Sequence, residues 1–164
     1  MLALVALAVL ALTLSACGRW PWSQEQAPGP AAGTAGQGAA RAVPGSAFNR
    51  HFPPDGTDGF GVVFTQEREG FAQAELTKGG PPVAILSISD TVTSPDALTK
   101  FRGSTRQIAG YPAADVGANS TAILVADRFQ VQVRSNDPSF SNADRVAWLT
   151  KFRLAELAQL ASRS

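Results

Sequence analysis

Phe71-Ala72-Gln73-Ala74-Glu75-Leu76-Thr77-Lys78, then Gly79-Gly80-Pro81-Pro82, then Val83-Ala84-Ile85-Leu86-Ser87-Ile88-Ser89 is the stretch that decides the class of fold. Ala72, Ala74 and Leu76 alternate with Phe71, Gln73, Glu75 and Thr77, a period of two that gathers the apolar set on one face of a strand. The paired glycines supply the positive φ of a chain reversal, and the prolines belong at the edge of the next strand rather than inside it. Two strands joined so tightly pair as antiparallel neighbours, because a parallel crossover needs a far longer connection.

The same short-strand pattern extends in both directions. Gly61 to Gln66 carries Val62, Val63 and Phe64 upstream. Downstream, Ser94-Pro95 is a helix start, with Ala97, Leu98 and Phe101 as its inward stripe and Gly103 as its stop. Tyr111 to Val116 and Thr121 to Ala126 read as strands, and Phe129, Val131 and Val133 alternate with Gln130, Gln132 and Arg134 in another. Asp127-Arg128 suits a tight hairpin turn. Ser141 and Asp144 have the spacing of a capping box in its acidic variant. The helix behind them is expected to bury Ala147, Trp148, Phe152 or their neighbours, and Leu154 to Leu160 continues as a second one. Leu-Thr-Lys-Phe-Arg occurs at 98–102 and again at 149–153, each time behind three strand-like segments, which suggests two βββα units. The expected fold is therefore α+β: a twisted antiparallel sheet of about six strands with two or three short helices on one face.

The N-terminus carries a different kind of information. An almost unbroken apolar run from Met1 ends in Leu14-Ser15-Ala16-Cys17, and Cys17 is the only cysteine. The run is shorter than the roughly 20 apolar residues of a membrane-spanning helix and suits an export signal. Leu14-Ser15-Ala16-Cys17 resembles the lipobox of bacterial lipoproteins. The resemblance implies a signal peptide over residues 1–16, cleavage before Cys17, and acylation of the Cys17 sulfur and of the new amino group. One feature departs from that pattern: the first basic residue, Arg19, follows the cysteine instead of opening the signal, as it would if the start codon were assigned too far downstream. A lone thiol in an exported chain has no internal disulfide partner, and acylation disposes of it. At roughly 0.8 kcal/mol per buried methylene, two or three acyl chains hold a protein to a bilayer where one does not. Gly18 stands where the best-known inner-membrane retention signal has Asp. Residues 17–46, rich in Pro, Gly and Ala, then read as a flexible tether, with Trp20 and Trp22 placed to sit among headgroups. Residues 47–164 read as one domain.

Chemistry is sparse in that domain. The chain has 14 Lys and Arg against 13 Asp and Glu, a net charge of +1, and no basic run, so nucleic acid is not an expected partner. It has a single histidine, His51, and no zinc-spaced His/Cys cluster; no metal, cofactor or catalytic residue is expected. Asp55 and Asp58 superficially suggest a calcium loop, but their Asp-Gly pairs are ordinary turn chemistry. Asn119-Ser120-Thr121 fits a glycosylation acceptor, which carries little meaning in a bacterial-type lipoprotein. Arg102, Arg106, Arg128 and Arg134 share one half of the domain and invite comparison with an anion site, although interspersed acids favour a mixed solvated surface. Tyr111, Arg128, Gln130, Gln132 and Arg134 are the candidate partner-binding residues, the last three as the polar face of an alternating strand.

Gln66-Glu67, Gly70-Phe71-Ala72, Leu86-Ser87-Ile88-Ser89-Asp90, Ala109-Gly110-Tyr111-Pro112 and Asp137-Pro138-Ser139-Phe140 together resemble a small family of cyanobacterial lipoproteins. That resemblance implies an extracytoplasmic location, periplasmic or in the thylakoid lumen, and no activity. The expected role is a lipid-anchored binding or assembly factor without catalysis, attached to the membrane through Cys17 and serving a membrane-protein complex. Two alternatives remain open. One is a carrier of a small apolar ligand, held among Phe71, Leu86, Phe101 and Trp148; the other is an enzyme of unrecognised type using carboxylates such as Glu75 and Asp90.

Overall fold

The computed structural model describes residues 40–163. Its strands are β1 (Gly61–Arg68), β2 (Phe71–Thr77), β3 (Pro82–Asp90), β4 (Gln107–Ile108), β5 (Tyr111–Asp115), β6 (Ser120–Val125) and β7 (Phe129–Ser135). They form one seven-stranded sheet in the order β1-β2-β3-β7-β6-β5-β4, and every pairing is antiparallel. β1 to β3 make one meander. After β3 the chain crosses through a 3-10 helix, Pro95–Phe101, to the far edge and returns strand by strand until β7 pairs with β3. The β3–β7 seam runs from Ala84 opposite Ser135 to Asp90 opposite Phe129. Pro82 opens β3 beside a register shift, as a residue lacking an N–H should.

The helices α1 (Asn142–Leu149) and α2 (Leu154–Ala161), with the 3-10 helix Gly45–His51, cover one face of this sheet. Beneath them lie Ala72, Ala74, Leu76, Leu86, Ile88, Ile123, Val125, Val131 and Val133, all in one buried cluster. Burying each Leu, Ile or Val there contributes about 1.5–3 kcal/mol over leaving it exposed. Edge-to-face ring pairs, Phe48 on Phe129 at 5.5 Å and Phe60 on Trp148 at 5.3 Å, tie the helical layer to the strands and to the loop before β1. The capping box is complete: Ser141 Oγ accepts the Asp144 backbone N–H, and the Asp144 carboxylate accepts from the Ser141 backbone. Trp148 and Phe152 are buried as expected. Ala147 is exposed, and the inward place on that turn of α1 goes to Arg145.

The α+β class and the antiparallel sheet follow the expectation, with the two-residue β4 as an added edge. The position of Pro95–Phe101 is the instructive difference. Phe101 and Leu98 pack on Ala122, Leu124 and Ala114, the side of β6 and β5 opposite Ile123, Val125 and Ala113. β6 is buried at every residue, so its apolar run needs cover on both faces, and the crossover supplies the second. The repeated pentapeptide therefore serves two unlike settings. Phe101 lies on one side of the sheet and Phe152 on the other, although the strand order mirrors itself about the β3–β7 seam.

The folded region also begins earlier than residue 47. Val43 is buried, its carbonyl accepts the Gly70 N–H at 2.7 Å, and its own N–H donates to Asp90 Oδ2 at 3.0 Å. Gly45 lies against the β1–β2 hairpin so closely that a Cβ there would meet the carbonyl oxygens of Arg68 and Phe71. The expected signal peptide, Cys17, Trp20, Trp22 and the tether as far as residue 39 lie outside the described residues. Among the described residues no helix is long and apolar enough to cross a membrane.

Candidate functional site

The face of β1, β2, β3 and β7 opposite the helices bears the residues whose side chains alternate away from the core. It presents Val63 and Arg68 from β1, Phe71, Gln73 and Glu75 from β2, Ile85, Ser87 and Ser89 from β3, and Gln130, Gln132 and Arg134 from β7. Most are half-buried, and Val63 is 52% exposed. Local polar contacts organise the surface. Lys100 Nζ donates to Gln130 Oε1, Gln130 Nε2 donates to Gln132 Oε1 at 3.1 Å, and Gln73 Nε2 donates to Thr65 Oγ1 at 3.2 Å. The Arg68 guanidinium lies 4.7 Å from the Phe71 ring centre. Burial lowers the Lys100 pKa below its ordinary value.

Of the five candidate binding residues, this face brings together Gln130, Gln132 and Arg134. Tyr111 is elsewhere: it packs, half-buried, against the main core and lines a shallow cavity with Phe152 and Leu154 on the helical side. Arg128 is also elsewhere, because it stands in the β6–β7 turn, where strand alternation no longer applies. Its guanidinium folds inward onto Asp90, with Nε donating to Oδ1 at 3.1 Å and Nη2 to Oδ2 at 2.9 Å. Nη2 also donates to the Arg41 carbonyl at 2.7 Å. Asp90 is fully buried, and its carboxylate additionally accepts the backbone N–H groups of Val43 and Val92. This bidentate pair pins the chain entering the domain to the ends of β3 and β7; it is a clamp rather than a docking residue.

The remaining candidates disperse. Glu75 faces the open side and Asp90 the helical side, so these carboxylates do not meet. Phe71 and Phe101 lie on one side of the sheet, Leu86 and Trp148 on the other, and the four line no common cavity. Arg106 is paired with Asp115 and Arg128 with Asp90, which leaves no four-arginine cluster. Asp55 accepts the Val62 N–H and Asp58 is paired with Lys151 at 2.7 Å. Among the described residues no three His, Cys, Asp or Glu side chains gather as metal ligands. His51 is 2% exposed, accepts from Arg50 at Nε2, and finds no hydrogen-bond partner for Nδ1 among the described residues. Burial lowers its pKa below the usual value; the charges of Arg50 and Arg153 add to that, against an opposing pull from Glu156.

A second polar network lies at the other end of β7. Arg145 is buried against Thr121 and Ser135, and Thr121 in turn donates to Asp115 Oδ1 at 2.8 Å. Burial pushes the Asp115 carboxyl up, but the Thr121 hydroxyl, the Arg106 guanidinium and the Asn142 amide together hold it below its ordinary range. The sequence contains a signal for Arg145: it precedes the buried Trp148 and Leu149 by three and four residues, a basic group on the apolar stripe of a helix. No protein-family model matches the chain, and no curated protein or solved structure is significantly similar to it.

Proposed function

We propose that the protein is a non-catalytic, lipid-anchored binding or assembly factor on the extracytoplasmic side of a membrane. In this reading Cys17 carries the anchor, residues 18 to about 40 act as the tether, and the open face of β1, β2, β3 and β7 receives a protein partner. The observation that carries it is that face itself. Apolar Val63, Phe71 and Ile85 are interspersed with Gln73, Ser87, Gln132 and Arg134 on the part of this sheet face that lies beyond the 3-10 helix Pro95–Phe101, which covers it at β5 and β6. Interfaces of non-obligate complexes have this mixed composition, with aromatic and Arg residues in the contact.

The test is native intact-mass spectrometry of the detergent-extracted chain, wild type beside Ile85→Lys. A lipidated chain carrying a discrete protein partner, lost in Ile85→Lys while the fold persists, supports the proposal. A lone lipidated chain carrying only a small ligand, or a partner retained in full by Ile85→Lys, sinks the docking face. A mass without acyl groups on Cys17 sinks the anchor.

A further inference from the structure

Arg145 is 5% exposed, and each of its hydrogen bonds goes to a neutral acceptor. Nε donates to Thr121 Oγ1 at 3.1 Å, Nη1 to Ser135 Oγ at 2.9 Å and Nη2 to the Ala118 carbonyl at 3.3 Å. Among the described residues no Asp or Glu oxygen lies within ion-pair distance of it. A buried cation without a counter-charge costs several kcal/mol. Arg128 is buried in direct contact with a carboxylate, whereas Arg145 has none in contact, the nearest being Asp115 on the far side of the Thr121 hydroxyl.

The guanidinium also has capacity left over. Of its five N–H donors, three are used by those bonds, leaving one on each terminal nitrogen. Two N–H groups on two nitrogens are what a carboxylate or phosphate group needs to be gripped through two oxygens.

Arg145 lines an open cavity of about 390 Å³. Asn119, Ser135, Asn136, Ser141 and Asn142 line it, and Arg145 is the most deeply buried of its lining residues. Asn136 is exposed, and its side-chain amide makes no hydrogen bond among the described residues. Asn119 spends one N–H on the Ser135 carbonyl, at 3.4 Å. The N-terminus of α1, at Ser141 and Asn142, opens on the same space and adds its positive dipole end. Three carboxylates stand nearby, each with a partner of its own. Asp137, which also lines the cavity, accepts the Ser139 N–H; Asp144 caps α1; Asp115 is paired with Arg106.

We infer that this cavity binds a small free oxyanion, of the carboxylate or phosphate class, whose two oxygens complete the coordination of Arg145. The site is on the helical side of the sheet, away from the open face, and stands whether or not that face docks a partner.

The experiment uses the full-length chain in mild detergent, titrated separately with inorganic phosphate and acetate at constant ionic strength set by sodium chloride. Thermal unfolding and the side-chain Nε–H NMR signal of Arg145 are followed together. A saturable rise in Tm accompanied by a shift of that signal, with either anion, is the expected result, and the anion that acts identifies the class. Asn136→Leu, which removes a cavity amide and leaves Arg145 in place, is expected to raise the half-saturating concentration at least tenfold. Arg145→Met is expected to abolish the response. No saturable response to either anion, or an equal response in wild type and Asn136→Leu, overturns the inference. Should Arg145→Met fail to fold, wild type and Asn136→Leu with the NMR signal decide the matter alone.

Discussion

Arg128 and Arg145 sit at the two ends of β7, 8% and 5% exposed, and the same fold treats them in opposite ways. Residues 128 and 135 are separated by ~23 Å of extended strand. At the first end the guanidinium meets a fully buried carboxylate in a bidentate pair, and that carboxylate also holds the Val43 and Val92 N–H groups. Each oxygen of that carboxylate accepts one N–H from the guanidinium and one from the backbone, and the Arg128 and Val43 bonds hold the entering chain. At the second end the guanidinium meets two hydroxyls and a carbonyl beside an open cavity. A buried charge that is satisfied internally stabilises a particular packing. One that is left short of a counter-charge beside solvent-accessible space is suited to holding something from outside.

The same substitution at the two ends separates these roles most sharply. Arg128→Met strands the Asp90 carboxylate in the interior and is expected to cost about 3–5 kcal/mol in urea unfolding. Arg145→Met strands no charge, only two hydroxyls and the part-buried Ala118 carbonyl, and is expected to cost about 1–2 kcal/mol without added anion. Equal losses would erase the distinction. Between these values falls Gly45→Ala at the Arg128 end, where a Cβ would collide with backbone carbonyls instead of a movable side chain. A loss of about 2–3 kcal/mol, read as a fall in the urea midpoint at unchanged m, is the expectation. At the Arg145 end, Ser141→Ala removes the cap of the helix that carries the guanidinium and is expected to cost roughly 1 kcal/mol by the same measurement.

His51 shows a third way to bury a basic group: keep it neutral. Its unfolded form titrates near 6.5, and its folded pKa is lower. Between those two values the unfolded chain binds more protons than the folded one, so stability falls as pH drops through about 6.5 and levels off below the folded pKa. Thermal unfolding across that range is expected to show this step in the wild type and lose it in His51→Leu. It is the smallest of these effects, and a step that survives His51→Leu would assign it to another group.

Much of the architecture was legible in the chain because it depends on local periodicity and local chemistry. The alternation of Ala72, Ala74 and Leu76, the Gly79–Pro82 reversal and the Ser141/Asp144 spacing each act within a few residues, and each appears where its pattern says. Gln130, Gln132 and Arg134 were legible for the same reason: the period of a strand assigns them one face. Arg128 was not, because a turn residue has no assigned face, and its direction was set by a carboxylate 38 positions away. Arg145 advertised itself only as a basic residue among inward positions; nothing local tells that its acceptors are neutral. Nor does any local pattern place Pro95–Phe101 across the sheet from the other helices, or draw Val43 into the core. Sidedness, the partners of buried charges and the shape of the space beside Arg145 arise from segments far apart in sequence, whose meeting is settled by burying β6 on both faces and by finding most buried donors an acceptor.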